Sequence, residues 1–165
     1  MTANLHTHAK SGTLNLKNIV QFLIQVEVND EDSYGDTALD LAIRNGHVGA
    51  VKLLLQNDAD ANRVSSDGKT PLYAATQAPN SGRIVELLLK HGAKPDEPVS
   101  QQKGDTPLMS AIRLGTSPEA IRALIEAGAA MDRPNDLGET PASLAEKSTN
   151  TAVSKAIRPK DDKPA

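Results

Sequence analysis

Cysteine and tryptophan are absent from the 165 residues, and the aromatics number three, Phe22, Tyr34 and Tyr73. Without cysteine there is no disulfide framework, no thiolate metal site and no cysteine nucleophile. Single-strand nucleic-acid binders need aromatic stacking platforms, and duplex binders need a basic face. Here 18 basic residues are interspersed with 21 acidic ones for a net charge of −3, so no nucleic-acid partner is expected. No apolar run approaches the roughly 18 residues that span a bilayer, so no membrane partner is expected either. In the first thirty residues His6, His8 and Lys10 interrupt any apolar run, and no Asn-x-Ser/Thr sequon occurs in the chain. The expectation is a cytoplasmic, intracellular location.

What is present is repetition. Gly35-Asp36-Thr37-Ala38-Leu39 returns as Gly68-Lys69-Thr70-Pro71-Leu72, Gly104-Asp105-Thr106-Pro107-Leu108 and Gly138-Glu139-Thr140-Pro141-Ala142, the glycines standing 33, 36 and 34 residues apart. A period in this range marks an array of supersecondary units, each unable to bury its apolar face alone. In one unit, Asp67-Gly68-Lys69-Thr70-Pro71 reads as a turn and helix start, and Leu72, Ala74 and Ala75 suit a closely packed inner helix. Pro79 to Gly82 reads as a loop, and Ile84 to Gly92 as a second helix with a basic last turn and a left-handed glycine C-cap.

The same plan covers Leu39–Leu55 and Leu108–Gly128, where Ser117-Pro118-Glu119 is a capped helix start. A shorter unit begins at Asn135. Upstream, Leu5–Gly12 and Asn18–Ile24 suggest a degenerate helix pair. The expected architecture is an all-α solenoid of three central helix-loop-helix repeats with hairpin connections and two degenerate caps. The units are residues 1–31, 32–64, 65–100, 101–134 and 135–158, followed by a polar tail at 159–165.

Gly-x-Thr-Pro-Leu, a Gly-His between helices and a Leu-Leu-Leu helix ending near Gly-Ala, at a spacing near 33, resemble ankyrin repeats over about residues 1–158. The resemblance implies a curved stack whose inner helices and hairpin fingers form a concave protein-binding face. It also exposes departures. The position after Thr-Pro-Leu, where the family pattern has His, holds Asp40, Tyr73, Met109 and Ser143, so a weaker hydrogen-bond network between repeats is expected. Asp58 stands where the other units have Gly92 and Gly128, which predicts a strained left-handed residue costing about 1 kcal/mol.

Motifs that imitate chemistry read as repeat punctuation. Gly68-Lys69-Thr70 ends like a phosphate loop, but Arg63 occupies the position that must be glycine. Asp58-Ala59-Asp60-Ala61-Asn62 opens like a calcium loop, yet Arg63 and Lys69 stand where Gly and Glu are required. Asn62, with Leu54 and Asp60, loosely fits a hydroxylated hairpin asparagine, and a structural asparagine bonding across its turn is the favoured reading. The acidic run Glu27, Asp30, Glu31, Asp32 and Asp36 is a solvated face or a handle for a basic partner. His6, His8, His47 and His91 lack ligand spacing, and no catalytic constellation is present, so no cofactor and no enzyme activity are expected.

Under the ankyrin-like geometry, the residues flanking each turn glycine and ending each inner helix face the partner. The candidates are Tyr34, Asp36, Arg44 and Asn45; Asp67, Lys69, Tyr73 and Gln77; Lys103, Asp105, Met109 and Arg113; with Ser33, Ser66, Gln102, Leu137 and Glu139 beside them. Tyr34, Arg44, Tyr73 and Arg113 lead because Tyr and Arg dominate hot spots, although Tyr73 and Met109 could pack between helices instead. Extra length between Gly92 and Gly104 makes Lys94 to Pro98 a candidate finger, or a functionless loop. The expected function is a non-catalytic, monomeric adaptor or inhibitor of another protein. The alternatives are an immunity or antidote protein and a structural or capping subunit.

Overall fold

The computed structural model describes residues 5–15 and 27–157. The expected second upstream helix and the polar tail lie outside these residues. Nine α-helices are formed among the described residues: α1 Leu5–Ser11, α2 Ala38–Arg44, α3 Val48–Leu55, α4 Pro71–Gln77, α5 Ser81–Lys90, α6 Pro107–Leu114, α7 Pro118–Glu126, α8 Pro141–Lys147 and α9 Thr151–Ile157. The loop expected at Pro79–Gly82 is shorter than its composition suggests, because α5 already begins at Ser81.

Packing follows the repeat. Helices α1, α2, α4, α6 and α8 stack in one row, and α3, α5, α7 and α9 in a second. Each layer contributes the same apolar set to one continuous core: Leu39 and Ile43, Leu54, Leu72, Ile84 and Leu88, Leu108, Ile121 and Leu124, all nearly inaccessible. Alanines 42, 75 and 111 are fully buried on the inner helices, and their small side chains let successive layers approach closely.

The turn signature is a helix-capping device. Thr37, Thr70, Thr106 and Thr140 are N-caps whose hydroxyls accept from the amides of Asp40, Tyr73, Met109 and Ser143. Proline opens α4, α6 and α8, where its missing N–H costs nothing. Ser117 caps α7 in the same way, accepting from Ala120 N at 3.2 Å.

At the far end of α3, α5 and α7 the chain closes with one left-handed residue, Asp58 (φ 64°), Gly92 (φ 85°) and Gly128 (φ 89°). The next amide then reaches back five residues, Ala59 to Leu54, Ala93 to Leu88 and Ala129 to Leu124, at 3.0–3.1 Å. Asp58 therefore takes the strained conformation expected of it. Asn80 and Lys103 are left-handed as well.

Hairpin tips are tied to their neighbours by side chains. Asn29 Nδ2 donates to Asp58 O and its Oδ1 accepts from Asp60 N at 2.8 Å. One repeat on, Asn62 Nδ2 donates to Gly92 O at 2.9 Å and its Oδ1 accepts from Lys94 N at 2.8 Å. Asp96 holds the next place, accepting from Ala130 N. Asn62 thus bonds the following hairpin, and its own turn is closed by Asp60, which accepts from Asn62 N at 2.8 Å.

Candidate protein-binding surface

Residue three of each inner helix divides the candidates. At α2 and α8 this residue completes a capping box: Asp40 Oδ2 accepts from Thr37 N at 2.9 Å, and Ser143 Oγ from Thr140 N at 3.0 Å. At α4 and α6 the same position points a larger side chain between helices, and Tyr73 and Met109 are 3% and 0% exposed. Of the two readings given for these residues, burial favours packing between helices over a place at the surface. Beside them a polar link joins α4 to α6, with Thr76 Oγ1 2.7 Å from Ser110 Oγ and both residues buried. Thr76 Oγ1 also lies 2.7 Å from Tyr73 O, to which it donates. Hydrogen bonding between repeats includes this pair, the hairpin amides, Arg113, Asn80 donating to Gly46 O at 3.0 Å and Asn135 donating to Asp105 at 2.6 Å.

Along the exposed rim an acid after the turn glycine meets a base eight residues later, at the end of the inner helix. Asp36 is paired with Arg44, and Asp105 Oδ2 accepts from Arg113 Nε at 2.9 Å. The carboxylates of Asp36 and Asp105 are buried, whereas the guanidinium-bearing side chains remain 48% and 37% exposed. The acids are withdrawn from the surface and hold the arginine heads there. Glu139 and Lys147 keep the spacing of eight, but Glu139 turns to Arg113, joining α6 to the turn before α8. Desolvation works against the Arg113 charge, but its bonds to Glu139 and Asp105 outweigh this and raise its pKa.

The second unit breaks the pattern, with Lys69 opposite Gln77. Lys69 Nζ instead pairs with Asp67 at 2.9 Å, and Ser65 Oγ donates to Asp67 at 2.5 Å. Desolvation favours the neutral acid, yet these partners prevail and lower the Asp67 pKa. The resemblance of this turn to a phosphate loop ends there, since the lysine is occupied by its own neighbour.

Of the other candidates, Tyr34 is 80% exposed at the first hairpin tip, held by Asp32, which accepts from Tyr34 N at 2.8 Å and Asp36 N at 3.1 Å. Asn45, Gln77 and Lys103 are exposed. Leu137, in the place of Tyr34 three units later, is 57% exposed. So is Leu114, at the end of α6, which sequence reasoning missed; its one signal is that it directly precedes the capping Gly115.

The acidic first hairpin is largely engaged: Glu31 pairs with Arg63 of the next hairpin, and Asp30 accepts from Glu27 N at 3.1 Å. The extended finger turns back too, because Asp96 O accepts from Arg133 at 2.7 Å and Ser100–Gln102 form a 3-10 turn. His6 Nε2 bonds Asp30 O at 2.9 Å and His47 Nε2 bonds Lys10 O at 2.8 Å, docking α1 on the first hairpin and on the turn between α2 and α3. Among the described residues no three His, Asp or Glu gather as a metal site. No described helix is long and apolar enough to cross a membrane.

This arrangement of paired helices, capped turns and linked hairpins has a counterpart in known proteins. A family model for ankyrin repeats (3 copies) matches residues 5–99, more than half of the chain, and the protein belongs to the ankyrin-repeat family. It is similar to neurogenic locus notch homolog protein 1 of Xenopus tropicalis, 42% identical over 65 residues, or 39% of this chain and 2% of that protein. The Mus musculus homolog is 43% identical over the same length and shares. Drosophila melanogaster neurogenic locus Notch protein is 42% identical over 62 residues, 38% of this chain and 2% of that protein. The matched segment is thus a small part of these relatives' length.

Proposed function

We propose that the chain is a non-catalytic interaction module that binds another protein through the face carrying its turns and inner-helix ends, as an adaptor or inhibitor. Ankyrin repeats are generally protein-protein interaction modules, which supports the class. The single observation that carries the choice of face is the row of exposed anchors, Tyr34, Arg44 and Arg113, with both arginines held from below by buried carboxylates. A side chain already held in place loses less entropy on binding, and Tyr and Arg supply the contacts that dominate interfaces.

One repeat domain through about residue 158 would present this face as a monomer inside the cell, which suits a chain without cysteine. An antidote that mimics a polyanion needs a free acidic hairpin. Here Glu31 is paired and Asp30 and Asp32 accept backbone amides, so the plain adaptor or inhibitor reading is preferred.

Affinity purification with the tagged chain yields the partner, whose affinity is then titrated. Tyr34→Ala or Arg113→Ala should each cost about 2 kcal/mol, roughly 30-fold in Kd. Arg83→Ala on α5, outside this face, should change nothing. The reverse pattern refutes the choice of face.

A further inference from the structure

A cleft of about 190 Å³ opens between α2 and α4, lined by Asp40, Arg44, Asp67, Lys69, Ala74 and Gln77 among others. Its lining holds two acids and two bases, and a third acid, Asp36, lies just outside it on Arg44. Arg44 is paired with Asp36, and Lys69 with Asp67, so each cation has its own carboxylate. Asp40 is the acid left over and forms no ion pair, although it is only 6% exposed. Its Oδ2 accepts twice from Thr37, from N at 2.9 Å and Oγ1 at 2.8 Å. Its Oδ1 has no hydrogen-bond partner among the described residues, yet is not sealed off, and Asp40 lines the cleft.

A carboxylate this deep normally has both oxygens bonded within the protein. Here one of them opens to the cleft instead, where a donor from outside can reach it. An incoming acid would confront Asp40, whereas an incoming cation would complete the pairing. Arginine suits such a place best: its guanidinium is weakly hydrated and offers several N–H donors in one plane. Ala74 on the α4 wall leaves room for it.

We propose that this cleft receives an arginine side chain of the protein partner, donating to Asp40 Oδ1 with Asp67 at the rim. The inference rests on the reading of this face as the binding surface and adds the chemistry that the partner must bring.

The probe is N-acetyl-arginine methylamide, titrated into the isotope-labelled full chain while the amide signals of Thr37, Asp40 and Gln77 are followed by NMR. The citrulline analogue is the neutral control and the glutamate analogue the opposite charge. Saturable shifts confined to the cleft are expected at millimolar probe, about tenfold weaker with citrulline and absent with glutamate. They should vanish in Asp40→Asn, whose amide oxygen can still accept from Thr37. They should also vanish in Ala74→Leu, which fills the cleft and leaves Asp40 in place, should Asp40→Asn fail to fold. A flat titration, an unchanged response in both variants, or preference for glutamate overturns the proposal. A silent cleft alongside partner binding that still depends on Tyr34 and Arg113 overturns this inference alone, and the proposed function stands.

Discussion

Arg113 and Glu139 are ion-paired across the boundary between two repeats, so that one guanidinium, also bonded to Asp105, links α6 to the turn that opens α8. The hydrogen bond from Arg113 holds the Glu139 carboxyl below its ordinary value of 4.5. With the folded pKa lowered, the unfolded chain takes up the proton first as pH falls. The contribution is therefore complete above the ordinary value and lost as pH drops through the folded one. In urea unfolding, the stability gap between wild type and Arg113→Met should be widest at neutral pH and close as pH falls below the carboxylate range. A gap independent of pH would show that the pair contributes nothing through Glu139 ionisation.

Asp58 carries a side chain at φ 64°, where Gly92 and Gly128 close the equivalent turns. Asp58→Gly should raise stability by about 0.5–1 kcal/mol, a few degrees in a thermal melt. The converse, Gly92→Ala, should lower it by about 1 kcal/mol through backbone strain alone, since nothing lies within 4 Å of the added Cβ. An unchanged or lower melting temperature for Asp58→Gly contradicts the assignment of this strain.

The helix pairs and their caps were legible because one short signature does several local jobs at once. Threonine as N-cap, proline at the first helical position and glycine in the turn each have a backbone reason that needs no tertiary context. Asp58 was legible by comparison with its own repeats. The burial of Tyr73 and Met109 was not, because the third residue of an inner helix either caps or packs according to what the adjacent layer offers. Neither were left-handed Asn80 and Lys103, whose conformations are imposed by the connections they sit in. The eight-residue acid–base spacing was present in the sequence. Its meaning appeared only once the turn and the helix end were brought side by side.

Asn62 makes two hydrogen bonds to the next hairpin. Asn62→Ala should cost about 1–2 kcal/mol in chemical denaturation. Asn29→Ala acts one interface earlier but on the same hairpin, through Asp60, so the two losses should couple by about 0.5 kcal/mol or more. Strict additivity would mean that each boundary is linked independently.

Thr76 and Ser110 share a buried hydrogen bond between α4 and α6. Thr76→Val breaks this buried bond and should cost about 1–2 kcal/mol. With Ser110→Ala added no unmatched hydroxyl of the pair remains, and the double variant should be less destabilised than the sum of the single changes. Simple additivity would sever the proposed link.

The measurement that bears most directly on the proposed function is amide hydrogen exchange of the chain alone and saturated with the partner obtained by affinity purification. The account predicts new protection in the turns around Tyr34, Asp67 and Lys103 and at the C-terminal ends of α2, α4 and α6. Protection confined to α3, α5 and α7, with the turns and inner-helix ends exchanging as in the free chain, would contradict it.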